Sequence, residues 1–538
     1  MDAKVIKKKL GLKERYAAMT RGLAWETSYQ PMNKVFPYDT YEGIKIHDWD
    51  KWEDPFRLTM DAYWKYQGEK DRKLYAVIDA FAQNQGHLNV TDARYVNALK
   101  LFIQGVTPLE YYAHRGFAHA GRQFTGAGAR VAAQMQSIDE LRHFQTETHA
   151  ISHYNKYFNG MHSPGKWFDN VWYLSVPKSF FEDSYSSGPF EFLTAVSFSF
   201  EYVLTNLLFV PFMSGAAHNG DLSTVTFGFS AQSDESRHMT LGIECIKFML
   251  EQDPANVPIV QRWMDKWFWR GYRLLTLVAM MQDYMLPKRV MSWKQAWEMY
   301  AEASGGALFK DLARYGIREP KGWKDACEGK DHISHQAWAT FYQYSHAAAF
   351  HTWIPGEDEM GWLSQQYPDT FDRYYRSRFE HWAGTQKKEG RWFNQYLPML
   401  CQICQVPMLF TEPGDPTQIC FRETSYHGMK YHFCSDHCKE IFDNEPRKYV
   451  QAWLPVHQIY QGSCYPDDIN PASPGDSPVR EVLRYYGVNA GADNGDFTSS
   501  PDSRNFAAWR GDKGDAAAPA APATDAMPPV PGALKPAP

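Results

Sequence analysis

The sequence predicts a mainly α protein with a helical bundle at its centre, additional helices around it, and a small cysteine-rich module near the C-terminus. Three observations carry this prediction. Between residues 96 and 250 long stretches hold few prolines and confine glycine and asparagine mostly to turn-like segments such as AAHNGD at 216–221. WFWRGYRLLTLVAMMQDYML (267–286) spaces its apolar residues at helical intervals. Beyond residue 396 the composition becomes turn-rich, and Cys401, Cys404, Cys434 and Cys438 cluster there.

Taken in order, residues 1–95 read as an N-terminal arm, rich in Trp, Tyr, Pro and charge (HDWDKWEDPF, 47–56), with a leading helix near 57–84. Residues 96–250 form the expected bundle, 251–395 a further helical region, 396–470 the cysteine module and 471–512 a C-terminal extension. The last stretch, 513–538, is Ala/Pro low complexity that cannot bury enough apolar area to fold, and is expected to be a disordered tail. A chain of 538 residues, 44% apolar and 16% aromatic, can bury a large core. The formal charge of −6 leaves no basic footprint for nucleic acid or an anionic membrane, and a polyanionic substrate is not expected. The basic N-terminus, MDAKVIKKKLGLKERYAAMT, lacks the apolar core of a secretory signal, and no apolar run reads as long enough to cross a bilayer. The expected location is the cytoplasm.

SIDELRHFQ (137–145) and QSDESRHMT (232–240) both contain Asp-Glu-x-Arg-His. A lone Glu-x-x-His arises by chance roughly once in a chain of this size. Of the nineteen histidines, however, only His143 and His238 have glutamate three positions earlier, and both sit in the full five-residue context. A solvated charged face is the ordinary explanation of such a turn. Against it, the stripe bearing Glu235 and His238 continues through Gly228, Ala231, Gly242 and Cys245, all small or apolar, which is the pattern of a buried face.

Two further glutamates stand alone in uncharged surroundings. Glu201 is the single Asp, Glu, Lys or Arg between Glu191 and Asp221, and Glu110 the single one between Lys100 and Arg115. A buried carboxylate needs a cation, a proton or strong hydrogen bonds. The chain thus supplies, twice, a lone Glu followed after 30 or 34 residues by Glu-x-x-His: Glu110 then Glu140 and His143, Glu201 then Glu235 and His238. Positions i and i+3 share a helix face, so carboxylate and imidazole can converge on one centre. This set is the signature of ferritin-like dinuclear carboxylate bundles, so the fold class is a ferritin-like four-helix bundle with two metal sites. Hard carboxylates with one imidazole per metal suit iron or manganese and leave positions open for oxygen. Asp139, Arg142, Asp234 and Arg237 recur too regularly to ignore, and are expected to accept from the ligand imidazoles (the aspartates) and to balance the carboxylates (the arginines).

With these motifs in place, the chain resembles a known family. LAWETSYQ (23–30), WEDPFRLTMDAYWKYQ (52–67), DARYVNALKLF (92–102), SVPKSFFED (175–183), GPFEFLTAVSFSFEYVLTNLLFVPFMSGAAHNGD (188–221) and YLPMLCQICQVP (396–407) are similar to the large hydroxylase subunit of bacterial multicomponent phenol hydroxylases, relatives of toluene and soluble methane monooxygenases. The resemblance covers nearly the whole chain apart from its first dozen and last fifty or so residues. It implies a non-haem di-iron monooxygenase whose iron ligands are Glu110, Glu140, His143, Glu201, Glu235 and His238. It implies further that Thr205, one turn beyond Glu201, with Asn206 beside it, manages protons at the oxygen-activating centre; the alternative for Thr205 is a hydroxyl bonded to its own i−4 carbonyl. Val106, Phe198 and Phe209 are expected to line the substrate cavity, ordinary core packing being the alternative for the two phenylalanines. The implied partners are paired β and γ hydroxylase subunits, an effector protein without cofactor, and an NADH-oxidising flavin/iron–sulfur reductase, acting on a small aromatic substrate and O2. In keeping with this, the chain has no Cys-x4-Cys-x2-Cys and no complete Gly-x-Gly-x-x-Gly, GAGARV at 126–131 being a partial match, so no flavin or NAD is expected in it. Toluene, alkene or alkane monooxygenase subunits, an iron-storage or ferroxidase bundle, and a non-catalytic scaffold subunit are the competing readings.

Cys401-x2-Cys404 and Cys434-x3-Cys438 suit a closed tetrahedral zinc site, with Cys420, His432 and His437 as rival ligands and four reduced cysteines as the plain alternative. YHFCSDHCKEIFDNEPRKYVQAW (431–453) resembles the small YHS-type metal-binding module, and phenol hydroxylases are the branch of the family expected to carry structural zinc. A saturated site of this kind serves folding or docking. Cys245, Cys327 and Cys464 are expected to be structural.

Overall fold

A computed structural model describes residues 9–23, 28–35, 41–158, 161, 164, 172–345, 352–389, 400–408 and 410–451. Cys464, the 471–512 extension and the 513–538 tail lie outside the described residues.

The core is built from long helices. We label them α1 (Met60–Gln83), α2 (Ala93–Gln123), α3 (Ala127–Tyr154), α4 (Ser175–Tyr185), α5 (Pro189–His218), α6 (Leu222–Gln252) and α7 (Val257–Leu274). Their starts follow from local chemistry. Asp92 caps α2 by accepting from the Arg94 amide at 2.9 Å, and Asp221 caps α6 by accepting from Thr224. Asp221 is fully buried and also accepts from Tyr95 of α2 and Tyr154 of α3, each at 2.7 Å, so one cap locks three helices together.

A three-residue connection at 124–126 makes α2 and α3 an antiparallel pair packed along their length, with His114 Nδ1 2.8 Å from the Ser137 carbonyl. Helices α5 and α6 form the second pair of the bundle, and α1 lies across α3 and α6. The predicted apolar face of α6 is buried as its pattern demands, with Gly228, Ala231, Glu235, His238, Gly242 and Cys245 all inside.

Helix α5 is not uniform: Thr194–Tyr202 is π-helical, and Glu201 sits at its end. Such segments are rare and cluster at functional sites. The same helix corrects one sequence expectation, because Pro189–His218 is long enough to cross a membrane and holds an 18-residue window apolar enough to do so, with a mean hydropathy of 1.5. In the fold 83% of that apolar window is buried. Its side chains are consumed by the core of the bundle, whose centre the helix occupies.

Further helices between Thr276 and Glu389 extend the core around aromatic residues such as Trp293, Trp297 and Trp338. The cysteine module follows: two hairpins, β1 (Thr411–Glu412) with β2 (Asp415–Ile419) and β3 (Arg422–Tyr426) with β4 (Met429–Phe433), then α8 (Asp436–Asn444). The β3–β4 turn places His427 and Gly428 at φ of 51° and 80°, the two positive values a tight two-residue hairpin requires.

The bundle is closed by small residues. A Cβ at Gly242 would overlap the Ser197 carbonyl and stand 2.8 Å from the Phe198 amide, both in the π segment. Backbone cannot yield as a flexible side chain does. Gly242→Ala is therefore expected to displace the segment carrying Glu201, lowering stability by about 1–3 kcal/mol and reducing bound metal per chain, as read by thermal unfolding and elemental analysis.

Candidate metal centre

The six residues expected to bind metal come from four helices and meet in the middle of the bundle: Glu110 from α2, Glu140 and His143 from α3, Glu201 from α5, Glu235 and His238 from α6. All six are buried. His143 Nδ1 lies 3.4 Å from both Glu110 and Glu140, and His238 Nδ1 lies 3.2 Å from Glu140 and 3.5 Å from Glu235. Donor atoms of Glu110, Glu140 and His143 all fall within 4.8 Å of one another, as do those of Glu140, Glu201 and His238. Glu140 belongs to both triads, one carboxylate oxygen toward each imidazole, and so stands between two sites.

The protonation of this cluster shows what it lacks. Burial pushes the Glu140 carboxyl up to about 7, against the pull of His238 and His143. Burial and the Glu235 charge raise Glu201 well above the carboxylate range, while for Glu110 the His143 partner outweighs burial. Four carboxylates cannot all be charged in a dry interior without cations among them. Moreover, the Nδ1 atoms of His143 and His238 and one oxygen of Glu235 are buried without hydrogen-bond partners, and all three point into the cluster. This donor set fits two cations: each imidazole has a free nitrogen inside, four carboxylates offset two divalent charges, and one carboxylate lies between the sites.

The other face of each imidazole explains the rest of the repeated motif. His143 Nε2 donates to Asp234 at 3.1 Å, and His238 Nε2 donates to Asp139 at 3.2 Å. The pairing is crosswise, each copy supplying the aspartate for the other copy's histidine. The step back from Glu to Asp turns the side chain by about 100° on a helix, away from the cluster and toward the neighbouring helix. With Nε2 committed as donor, Nδ1 is left as the metal-facing lone pair. Asp234 is held far below its usual range by His143, Lys70 and Gln67 despite its burial.

Three acids and three bases form this outer layer. Arg142 donates to Asp71 at 2.9 Å, Asp139 at 3.0 Å and Asp234 at 3.2 Å; Lys70 pairs with Asp234 at 2.7 Å; Arg237 pairs with Asp139 and lies over the Tyr63 ring. Sequence reasoning expected the arginines to balance the carboxylates; they pair with Asp139 and Asp234, and what α1 contributes was missed. Gln67 donates one hydrogen bond to each aspartate, both at 2.8 Å, and the Tyr63 hydroxyl donates to Asp139 at 2.6 Å. Gln136 was also missed: its amide donates to both oxygens of Glu201, at 3.0 and 2.9 Å. Its place one turn before Glu140 was the signal available.

The remaining predicted residues lie on two of the helices that carry the ligands, Val106 on α2 and the others on α5. Thr205 is buried one turn beyond Glu201, and its hydroxyl donates to the Phe200 carbonyl at 3.3 Å. The acceptor is at i−5 and not i−4, because the π segment has widened the turn. Asn206 accepts from Gln232 at 2.8 Å. Val106 is buried one turn before Glu110, Phe198 stacks on Tyr202, and Phe209 meets Phe102 edge-on.

The second cluster is the four cysteines. Cys404 and Cys434 sulfurs are 3.4 Å apart, Cys434 and Cys438 3.8 Å, and all four are buried. A tetrahedral zinc–thiolate site with bonds near 2.3 Å has sulfur–sulfur edges of about 3.8 Å. Cys401 and Cys404 sit in a turn closed by the Gln405 amide on the Cys401 carbonyl, and Cys438 opens α8, where Ser435 caps its amide at 3.1 Å. The rival ligands are placed elsewhere: His437 bonds Asp325 at 2.7 Å, His432 faces Glu423, and Cys420 is outside the four-sulfur group. Arg273, buried between Trp269 and Phe410, is near enough to Cys434, Cys404 and Cys438 to feel their charge, which suits a site of net negative charge. Cys245 and Cys327 are free thiols.

Two outcomes follow. Asp234→Asn is expected to leave the helices in place but to weaken metal retention about 10- to 100-fold, measured by dialysis against a chelator. Cys438→Ser is expected to abolish metal binding at the C-terminal module without removing metal from the bundle, measured by elemental analysis of both.

The sequence profile of the Methane/Phenol/Alkene Hydroxylase family matches residues 25–253, and that of the YHS domain matches 410–453. The chain is 64% identical over 505 residues to the phenol 2-monooxygenase oxygenase component DmpN of Pseudomonas sp. strain CF600, covering 94% of this chain and 96% of that protein. It is 26% identical to the oxygenase component subunit α of an alkene monooxygenase system from Xanthobacter autotrophicus, over 83% of this chain and 90% of the other. In structure it is similar to the phenol hydroxylase of Pseudomonas sp. OX1, with a TM-score of 0.83, 63% identity, and coverage of 93% of this chain and 100% of that one. The paired carboxylate–histidine motifs and these likenesses agree: the chain belongs to the Methane/Phenol/Alkene Hydroxylase family of soluble di-iron monooxygenases.

Proposed function

We propose that this chain is the catalytic α subunit of a multicomponent phenol hydroxylase. It hydroxylates phenol and related phenols to catechols, with O2 as oxidant and electrons from a separate NADH-oxidising reductase. The observation that supports this best is the intact set of four buried glutamates and two buried histidines in a chain 64% identical to a phenol 2-monooxygenase oxygenase component. Overall, phenol, O2, NADH and a proton give catechol, water and NAD+. Ferroxidase, scaffold and alkane or alkene readings account for this less well, since the alkene relative is 26% identical.

Glu110, Glu140, His143, Glu201, Glu235 and His238 would hold two irons, and Cys401, Cys404, Cys434 and Cys438 one structural zinc. Bound there, the iron pair supplies O2 binding and its two-electron reduction. The protein's own contribution is placement and dryness. Asp139 and Asp234 fix the tautomer and tilt of the imidazoles, and Arg142, Arg237 and Lys70 offset the aspartate charge so that the carboxylates inside remain available to metal. Gln136 restrains Glu201. Thr205, whose hydroxyl donates to the Phe200 carbonyl beside the π segment, is the residue we assign to relaying protons at the centre, accepting one as it gives one up, and Asn206, which accepts from Gln232, stands next to it. Val106, Phe198 and Phe209 shape an apolar wall that excludes water from the reacting ring. We further place the enzyme in the cytoplasm, in a complex with β and γ subunits, an effector protein and the reductase.

Elemental analysis of the purified complex beside Glu235→Ala tests this reading. About two irons and one zinc per chain are expected, with Glu235→Ala losing iron, keeping zinc, and losing NADH-coupled catechol formation. Full iron in that variant, or zinc in the bundle of a complex purified with iron present, would refute the assignment of the bundle site.

A further inference from the structure

Glu147 has no place in the centre described so far. It is 1% exposed, and neither carboxyl oxygen has a hydrogen-bond partner. Fully orphaned buried carboxyls are rare in proteins. Thr107, close enough for its hydroxyl to pull on the Glu147 carboxyl, gives its one proton to the Ile103 carbonyl at 2.6 Å.

The position follows from helix geometry. Glu147 lies one turn beyond His143 and two beyond Glu140, on the same face of α3. Because α2 runs antiparallel, with His114 against Ser137 and Glu110 against His143, Thr107 and Val106 lie opposite Glu147. Phe209 meets Phe102, which sets Thr205 at the level of Val106. Asn206 bonds Gln232 at that level too. Glu147, Val106 and Thr205 thus form a layer directly above the carboxylates, on one side of them. At this level the Thr205 hydroxyl and the Asn206 side-chain oxygen are already paired. Burial, with the Glu110 charge beside it, raises the Glu147 carboxyl well above its usual range and favours its protonated form, which offers one donor and one acceptor.

We propose that Glu147 is the recognition group for the substrate hydroxyl: its carboxyl hydrogen-bonds the phenolic O–H, so that hydroxylated arenes are selected over arenes without the group. This rests on the phenol hydroxylase reading above and names the contact that confers its specificity. A phenol satisfies the orphaned carboxyl, whereas benzene or toluene leaves it unpaired. A site that must pair a buried polar group rejects the analogue lacking the partner far more strongly than an apolar pocket rejects a change in size. One helical turn, about 5.4 Å along the axis, separates Glu147 from His143, so the anchor lies to one side of the centre and close to it.

The test uses the full hydroxylase complex, wild type beside Glu147→Leu, Glu147→Met and Glu147→Gln. Dissociation constants for phenol and toluene are measured by equilibrium dialysis, NADH-coupled kcat/KM for both, and iron per chain. With iron retained, the phenol-over-toluene preference is expected to fall on the order of 10- to 100-fold in the two apolar variants, and Gln, which keeps a donor and an acceptor, is expected to restore most of it. An unchanged preference in apolar variants that keep their iron would overturn the proposal and leave the functional reading intact. Loss of iron from both would assign Glu147 to holding the centre and also overturn it. A wild-type complex that neither binds nor oxidises phenol better than toluene would overturn the functional reading, and this inference with it.

Discussion

Four glutamates gathered in a dry interior are the constraint on which the rest of this molecule depends. Like charges within a few ångströms and away from water cannot be held by packing alone, and the chain meets the cost with imidazoles whose inner nitrogens are free and with room for cations. Each further layer serves that concentration of charge. The aspartates turn the imidazoles, the arginines and Lys70 neutralise the aspartates, and Gln67 ties the two aspartates together from a helix outside the bundle. Removing any one partner leaves another buried group unpaired, so the network behaves as a unit.

The backbone is adjusted to the same end. Helix α5 departs from α geometry where it carries Glu201, and Gly242 of α6 permits the two backbones to touch there. An ordinary helix with an ordinary side chain at the crossing would pack well, but it would set Glu201 and Thr205 at different angles. The local departure from regular structure therefore falls where the chemistry is. The cysteine module works differently. It has short strands and a small core of its own, and Arg273 of α7, over the Phe410 ring and near the sulfurs, ties it to that helix, where Trp269 donates to Ser435 at 3.0 Å. Its contribution is to fix position in a part of the chain whose hairpins bury little.

Much of the centre was legible because its residues obey helical arithmetic. Glu-x-x-His is a same-face spacing, and Glu110 and Glu201 stood out as lone charges in apolar surroundings. The four cysteines were legible for a similar reason, since both knuckles are local. Gln67, Tyr63 and Lys70 were not, although they complete the outer layer. They come from α1, distant in sequence, and a Gln on a helix rich in polar residues carries no mark of being 2% exposed. Glu147 was hidden in another way: it follows the first Asp-Glu-x-Arg-His motif in a run of charged and polar residues, where nothing in the sequence separates a buried acid from a solvated one.

The sequence by itself determined the class of fold, the donor set and its twofold repetition, because these reside in residue identity and in periodicities of three and four along single helices. Only the tertiary structure decided the crosswise pairing of Asp139 with His238 and Asp234 with His143, the π-helical turn at Glu201, and the burial of a helix apolar enough for a membrane. Those depend on which helix faces which and at what height. That is a property of packing between segments separated by as many as a hundred residues, and no local spacing encodes it.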